Sequence, residues 1–393
     1  MSGTTVCLLR STDTGAPVLN GVAGSCVAVL DACLKDGYNS HTNPVFTRVG
    51  STVTVTYATA HGYAADGLSK IQVSGCVETE YNGIFTPFNV TTLTFDYTIT
   101  GTPDTPATGT RITKVAPCGW SKAFAGTNKA AYRGNEVTGT RLYLRVDDAN
   151  PHANGSLTAK MVGYETMSDV DTGTGLFPTV LQIATGVWCN KSDVSSSAAK
   201  EWLLVGDGFE FHFFMRHAAN CAIPVYRQFH FGDPCSEMAS DPYGCLIYGD
   251  FGTASSWPYT NNETMNIVSA ISTTQGGHYY ARAYTQTAAA VSAGKIGNQA
   301  LQNNLSIGAG GLAYPAPHNN GLYIAPLFMV ESSIVRAQLK GIWQPLHLRP
   351  LGHGTVLAAN VSPIARRLYA VRTTYSNSNN DGETHLDIDG PWR

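Results

Sequence analysis

The chain has 393 residues, of which 13% are charged, with a net charge of −3 and a pI near 6.4. That charged share is about half the usual one, and no run of like charges predicts binding to nucleic acid. The 40 Gly, 19 Pro and 19 Tyr, and the lack of an apolar stretch of roughly 18 residues, argue against a helical bundle, a disordered chain or a membrane span. This composition predicts a mainly β protein.

Residues 1–43 are predicted to form the first part of a larger body. The apolar run from Val27 to Leu34 predicts a short helix, which the glycine at position 37 would end. The first ten residues lack the basic segment and long apolar core of a signal peptide, so we expect folding in a reducing cytosol. The nine cysteines, an odd number, are then expected to be thiols.

Residues 44–114 are predicted to form a small β domain inserted into that body. Short strands are predicted from alternating polarity at 46–49, 52–57, 70–73 and 92–99. The dipeptide Asn82-Gly83 predicts a hairpin, and the Pro- and Thr-rich segment 101–109 predicts a stiff outgoing linker. Such a set of strands favours a small barrel or sandwich, whose two ends must lie close together for the body to tolerate it.

Residues 115–340 are predicted to form the main body, a β-sandwich or barrel-like unit with few short helices. Strand patterns recur at 141–146, 160–165, 203–215, 226–233, 245–252 and 322–330. The strongest pattern, at 203–215, is interrupted by Gly-Asp-Gly at 206–208, which predicts a bulge or a turn. Helical turns are predicted at 195–200 and 333–339.

The last segment, residues 341–393, has a different pattern. Two prolines, at 345 and 350, are spaced so as to forbid a central strand, which predicts an extended segment laid over a surface. Large apolar side chains in such a segment need a surface to cover them, and a groove between protomers suits them. We therefore predict a subunit interface formed by Ile342, Trp343, Leu346 and Leu351. Docking of the same side chains on their own domain is the alternative.

One group of side chains could bind zinc. It comprises His217, Cys221, His230, Cys235 and Cys245. The spacings lack the paired knuckles that preorganise such sites. In addition, His212 and His230 alternate with phenylalanines, which places the imidazoles on the opposite face of their strands. We therefore expect no metal and no other cofactor.

The carboxylates give no catalytic signature. Most lie beside Gly or Pro, where Asp is favoured by its own turn hydrogen bonds. The segment from Asp169 superficially resembles a calcium loop, but Val180 stands where an EF-hand needs Glu. No nucleophile elbow, Walker loop or zinc-protease helix motif is present, so we predict that the protein is not an enzyme.

Several motifs outside residues 44–114 carry a family resemblance. They include Leu-Asp-Ala-Cys-Leu-Lys-Asp-Gly-Tyr (30–38), Gly-Trp-Ser-Lys-Ala-Phe-Ala-Gly-Thr-Asn-Lys-Ala-Ala-Tyr-Arg (119–133), Tyr-Leu-Arg-Val-Asp-Asp (143–148), Leu-Val-Gly-Asp-Gly (204–208) and Gly-Ile-Trp-Gln-Pro-Leu-His-Leu-Arg-Pro-Leu (341–351). Through them the chain resembles uncharacterised virion proteins encoded among the tail and baseplate genes of tailed bacteriophages. The inserted segment resembles small β modules found in phage tail proteins.

This resemblance implies a structural role in the tail region of a virion that is assembled in the host cytoplasm. The implied partners are further copies of the chain, in a ring-like homo-oligomer around the tail axis, and other virion proteins, with the host surface as a further candidate. Two alternatives stay open. One is a decoration or fibre protein of the head. The other is a receptor- or carbohydrate-binding tail protein, which should show a cleft lined by Trp and paired carboxylates.

Overall fold

The computed structural model describes residues 5–149, 158–192, 196–216, 226–249, 277–296, 313–347, 351–357, 366–374 and 381–393. These residues are mainly β, as predicted, with one α-helix, α1 (Ser25–Leu30). A π-helical turn (Asp31–Asp36) continues α1, and together they match the helix predicted from the apolar run there. A second short element is a 3-10 turn at Thr79–Tyr81.

The strands of the described residues are numbered in chain order. The first fourteen are β1 (Cys7–Arg10), β2 (Tyr38–Thr42), β3 (Val45–Val49), β4 (Thr52–Thr56), β5 (Ile71–Cys76), β6 (Gly83–Phe85), β7 (Thr94–Thr98), β8 (Gly109–Val115), β9 (Trp120–Gly126), β10 (Lys129–Gly134), β11 (Tyr143–Asp147), β12 (Thr158–Tyr164), β13 (Thr166–Met167) and β14 (Gly173–Thr174). The others are β15 (Val187–Asn190), β16 (Trp202–Gly206), β17 (Glu210–Met215), β18 (Arg227–Gly232), β19 (Cys235–Ser236), β20 (Leu246–Gly249), β21 (Gly277–Tyr280), β22 (Val291–Ser292), β23 (Gly294–Ile296), β24 (Ile324–Glu331), β25 (Ile334–Pro345), β26 (Val356–Leu357), β27 (Leu368–Thr374) and β28 (Asp381–Asp387).

The body is a stack of three antiparallel sheets. The central sheet has the strand order β1-β16-β17-β18-β20-β21-β22. On one side lies the five-stranded sheet β15-β12-β11-β10-β9, called here the first flanking sheet. On the other lies the second flanking sheet, with the order β23-β24-β25-β28-β27-β26 and the short β19 beside β25. The body therefore has three layers, one more than the two-sheet sandwich that was predicted.

The central sheet is buried on both faces, because alternate side chains point into different cores. Phe211 and Phe213 belong to the core shared with the first flanking sheet, α1 and the inserted unit. Leu203, Val205 and Phe214 belong to the core shared with the second flanking sheet. This two-sided burial explains why β16 is a continuous apolar run. It also explains why the polar residues that alternate with phenylalanine in β17 and β18 are buried as well.

The Gly-Asp-Gly sequence at 206–208 is the turn that joins β16 to β17. The Asp207 carboxylate accepts hydrogen bonds from the backbone N–H groups of Phe209 (2.8 Å) and Glu210 (3.0 Å). The bonds fix the register in which Gly206 lies opposite Phe211. The turn thereby sets which side chains of β17 face each core.

The inserted unit has two sheets, β2-β8-β5-β6 and β3-β4-β7. Its incoming strand β2 and outgoing strand β8 pair with each other, with Tyr38 opposite Val115. Because this pairing begins at Tyr38, the unit as folded extends beyond the predicted bounds of 44–114. The predicted hairpin is present as the antiparallel pair of β5 and β6, but Asn82-Gly83 is not its two-residue turn. The Asn82 side chain exchanges hydrogen bonds with the backbone of Cys76, and Gly83 begins β6.

A buried carboxylate joins the inserted unit to the body. Asp13 Oδ2 accepts hydrogen bonds from the Tyr38 hydroxyl (2.9 Å) and the Ser69 hydroxyl (3.0 Å), both in the inserted unit. Arg10 forms an ion pair with Asp13 (3.0 Å) and a second with Asp66 (2.5 Å). The charge of the carboxylate is therefore compensated where the two parts meet, as burial of a charge requires.

Residues 341–345 lie in the long strand β25, so the prediction that prolines keep this segment out of a central strand is wrong. β25 is paired on both sides, with β24 and with β28, and Ile342 lies opposite Leu386. Pro345 is the last residue of the strand. Proline has no backbone N–H, and at the end of a strand this removes no hydrogen bond from the middle of the sheet. Pro326 is accommodated at a β-bulge of β24. The helical turn predicted at 333–339 is also wrong, because residues from 334 onward form β25.

A half-buried imidazole, that of His353, lies near the contact between β27 and the segment that leads into β18. The ring of His353 stacks on Tyr226 at 4.4 Å between centroids and meets Tyr369 edge-on at 6.0 Å. Burial lowers the pKa of His353 to about 4. Since an unfolded histidine has a pKa near 6.5, folding disfavours the protonated form of this residue.

We predict that excision of the whole inserted unit leaves a folded body. Joining Gly37 to Ala116 through two glycines should give a single cooperative melt at a lower temperature, because the bonds of Asp13 to the unit are lost. Circular dichroism and calorimetry measure the cooperativity and the temperature of this melt. The control is excision of 44–114 alone, which removes most of β8 and leaves β2 unpaired, and should melt less cooperatively. A body that unfolds in both variants would refute the prediction.

We predict that His353→Phe reduces the loss of stability in acid. The folded-state pKa is depressed, so the contribution of His353 is fully present above pH 6.5 and is lost as the pH falls toward 4. Phenylalanine keeps the stacking on Tyr226 and cannot be protonated. The difference in melting temperature between variant and parent should therefore be small at pH 8 and grow in favour of the variant by pH 4.5. A difference independent of pH would contradict this.

Candidate functional site

A cluster of polar side chains is buried between the central sheet and the second flanking sheet. Glu210 and His212 come from β17, Gln228 and His230 from β18, and Tyr248 from β20; we call these five residues the polar cluster. The register places His212 opposite His230 and His230 opposite Tyr248, so three rings lie side by side across three strands. Glu210 precedes His212 by two residues and so lies on the same face of the sheet.

Hydrogen bonds and ring contacts connect the polar cluster. His230 Nε2 lies 3.0 Å from Glu210 Oε2. Gln228 Nε2 donates to His212 Nδ1 (3.2 Å) and to the Tyr248 hydroxyl (2.5 Å). The two imidazole rings are 4.6 Å apart, and His230 stacks on Tyr248 at 4.8 Å. Within the described residues, His212 Nε2 and Gln228 Oε1 have no hydrogen-bond partner.

The buried surroundings favour the uncharged forms of these groups. Burial raises the pKa of Glu210 to about 8 and lowers the pKa of His230 to about 3. Burial, together with the neighbouring His230, lowers the pKa of His212 well below its usual value. Burial therefore favours the protonated form of the Glu210 carboxyl group, which can donate its proton to His230 Nε2. Both imidazoles are neutral, which is the form that binds metal ions.

Two further carboxylates and one cation adjoin the polar cluster. Asp207 is fully buried, and burial followed by the charge of Glu210 raises its pKa to about 7. The Asp233 carboxylate accepts hydrogen bonds from the N–H (2.5 Å) and hydroxyl (2.6 Å) of Thr140. Arg393 Nη2 lies 3.2 Å from Glu210 Oε1 and also donates to the backbone oxygen of Asp233.

An open cavity of about 720 Å³ lies next to the polar cluster, and we call it the Arg393 pocket. Its lining includes Thr138, Thr140, Phe209, Asp233, Gln286 and Arg393. The Arg393 guanidinium stacks at 4.0 Å over the Phe209 ring. Since the same guanidinium contacts Glu210, Arg393 connects the pocket with the buried cluster.

The described members of the group that was considered for zinc do not come together, in line with the expectation that this group is not a metal site. His217 and Cys221 lie outside the described residues. His230 faces the second flanking sheet, as the alternation with phenylalanines predicted, whereas Cys245 lies in the opposite core, and Cys235 starts β19. Instead His230 meets Glu210 and His212, whose donor atoms all lie within 4.8 Å of one another. This grouping could have been found from the sequence by aligning the two Phe-His-Phe triplets as neighbouring strands.

The four predicted interface residues occupy different environments. Ile342 is fully buried in the core of its own chain, which agrees with the alternative that this anchor docks on its own domain. Trp343 is partly exposed within β25. Leu346 and Leu351 are also partly exposed and are held by backbone bonds to Tyr323 O (2.8 Å) and Glu383 Oε2 (3.3 Å). An interface role of the last three stays a prediction.

The described cysteines are thiols. Cys26 on α1 and Cys189 on β15 approach each other to 3.6 Å between sulfur atoms, far beyond the ~2.05 Å of a disulfide. Burial raises the pKa of the Cys189 thiol well above its usual value, which suppresses its reactivity. These sulfur atoms act as apolar packing groups in the core shared with the first flanking sheet.

No helix in the described part of the chain is long and apolar enough to cross a membrane. Neither the models of known protein families nor the sequences of curated proteins match this chain.

Proposed function

We propose that this protein is a structural component of a bacteriophage virion, in the tail or baseplate, and that it acts by assembling with further copies of itself. The observation that carries the proposal is the three-layer β body with a second β unit inserted through paired strands. Such a body is a rigid scaffold, and the inserted unit is a second surface on which contacts can form. The sequence motifs that resemble tail and baseplate proteins support the location.

Exposed apolar side chains support self-association. Leu181 is 99% exposed and its neighbour Val180 is 62% exposed, both in the segment between β14 and β15. Covering such side chains gains about 25 cal/mol for each Å² of apolar surface removed from water. In a ring-shaped homo-oligomer every subunit contacts neighbouring copies of the same chain, and such a copy can cover these side chains.

Assembly then requires only preformed surfaces. The protein folds in the host cytoplasm, and copies of the body associate around the tail axis. The inserted unit, whose core contains Phe46, Tyr81, Phe95 and Tyr97, is available for contacts with other virion proteins or with the host surface. No chemical step is involved in this role.

We predict that the protein is present in purified particles of the phage whose genome encodes it. A nonsense mutation in its gene should give particles that lack it and have incomplete or missing tails, as seen by mass spectrometry and electron microscopy. A suppressor host that restores the protein is the control. Complete, infectious particles without the protein would refute the structural role, and complete tails with defective heads would favour the head alternative.

We predict that Leu181→Asp weakens self-association without destabilising the protomer. A charge at this exposed position cannot be buried against a neighbour without a large desolvation cost. Light scattering should show a shift toward monomers, by tenfold or more in the association constant, while the thermal melt stays unchanged. Val49→Asp, at a valine of the inserted unit that is 86% exposed, is the matched control. Equal association of the parent and both variants would contradict a contact at Leu181.

A second candidate function, carbohydrate or receptor binding, rests on the Arg393 pocket. Among the described residues its lining has the carboxylates of Asp233 and Asp241 but not the Trp expected of such a cleft. Its volume of about 720 Å³ lies within the range of small-ligand sites. Hydroxyl, amide and carboxylate groups of Thr138, Thr140, Gln286 and Asp233 lie in its lining, as recognition of sugar hydroxyls requires. A glycan array probed with the parent and with Gln286→Leu tests this role. Binding that is lost in the variant would support it.

A further inference from the structure

We propose that Glu210, His212 and His230 form a binding site for one divalent transition-metal ion of the zinc class. The three side chains are fully buried, and their donor atoms all lie within 4.8 Å of one another. A carboxylate and two imidazoles are a donor set that zinc uses, with a fourth position left for another ligand. This inference does not depend on the proposed role in a virion.

The sheet holds the three donors in place. His212 and His230 are directly opposite each other on β17 and β18, and Glu210 is two residues away on the same face. Sites on hydrogen-bonded strands keep their geometry better than sites on loops. The rings are further fixed by the contact of His212 with Trp392 at 5.8 Å and the stacking of His230 on Tyr248.

The hydrogen bonds leave one nitrogen of His212 available for a metal. Its Nδ1 accepts from Gln228 Nε2, so the proton of the neutral ring is on Nε2, which has no partner in the described part of the chain. For Nε2 to bind a metal, the proton must move to Nδ1. Rotation of the Gln228 amide then presents Oε1, also without a partner there, as the acceptor for Nδ1–H. This is the usual way in which an outer group orients a metal-binding imidazole.

The donors must move slightly to bind an ion. Two ligands at about 2.1 Å from one zinc ion are at most about 4.2 Å apart, and roughly 3.4 Å apart in a tetrahedral site. Donor atoms up to 4.8 Å apart therefore have to approach each other by up to about 1.4 Å in a tetrahedral site. Glu210 has three side-chain torsions and each histidine has two, so the side chains can make this adjustment while the strands keep their register.

The Arg393 pocket gives the ion a path to the site. Arg393 lines this open pocket and contacts Glu210 at 3.2 Å, so displacement of its side chain exposes the carboxylate. Trp392 covers His212 from the same segment and packs tightly on Gly341, where even a Cβ atom would lie 2.6 Å from the indole ring. The ion therefore enters past Arg393 rather than past Trp392.

The test uses the full chain, stripped with a chelator and checked for a cooperative melt. Zn²⁺ is titrated by calorimetry, and Co²⁺ is titrated by absorption, because tetrahedral cobalt gives strong visible bands. We expect one ion per chain, a higher melting temperature with Zn²⁺, and binding at least 100-fold weaker in His212→Gln and in His230→Gln. His385→Gln, at a buried histidine paired with Glu383 outside the site, should bind as tightly as the parent.

Three results would overturn the proposal. They are a folded parent protein that binds neither ion with a dissociation constant below about 100 µM, cobalt bands of an octahedral site without histidine, and equal binding by the parent and both histidine variants. Should a variant fail to fold, the stoichiometry and cobalt spectrum of the parent still decide the question. Mg²⁺ and Ca²⁺ at the same concentrations should not compete, since they prefer sites made only of oxygen ligands.

Discussion

The burial of both faces of the central sheet is the constraint on which the other layers depend. A sheet with two apolar faces is stable only if each face is covered, and here the two flanking sheets, α1 and the inserted unit together provide the cover. Every side chain of β17 and β18 therefore lies in a core. Polar residues on these strands, such as Glu210 and His230, must find partners within the protein, and the polar cluster is the result.

The same constraint accounts for the electrostatics of the site. Glu210, His212 and His230 are held away from water by the packing of layers rather than by a cleft, so desolvation dominates their pKa values. Arg393 reaches the cluster from a cavity that is open to solvent. The protein thus combines a dry interior of neutral hydrogen-bonding groups with one charged contact to the outside.

Much of the fold could be predicted from the sequence, because local periodicity determines it. The strands at 203–215 and 226–232 follow from their apolar patterns, and the glycines flanking Asp207 indicate the turn between β16 and β17. The position of Pro345 at the end of β25, and the bulge that accommodates Pro326, depend on partners far away in the chain and could not be read from local spacing. The approach of Glu210, His212 and His230 likewise depends on the register between two strands. Arg393 joins them through tertiary structure alone.

The pairing of β2 with β8 has a mechanical consequence. The inserted unit is attached to the body by two peptide strands that lie side by side, with Tyr38 opposite Val115. A force that pulls the unit away from the body is therefore shared by two covalent tethers in parallel and does not peel the hydrogen bonds between them. A domain joined through a single linker would instead swing freely and transmit tension at one point. Double tethering lets the inserted unit bear load while keeping its orientation.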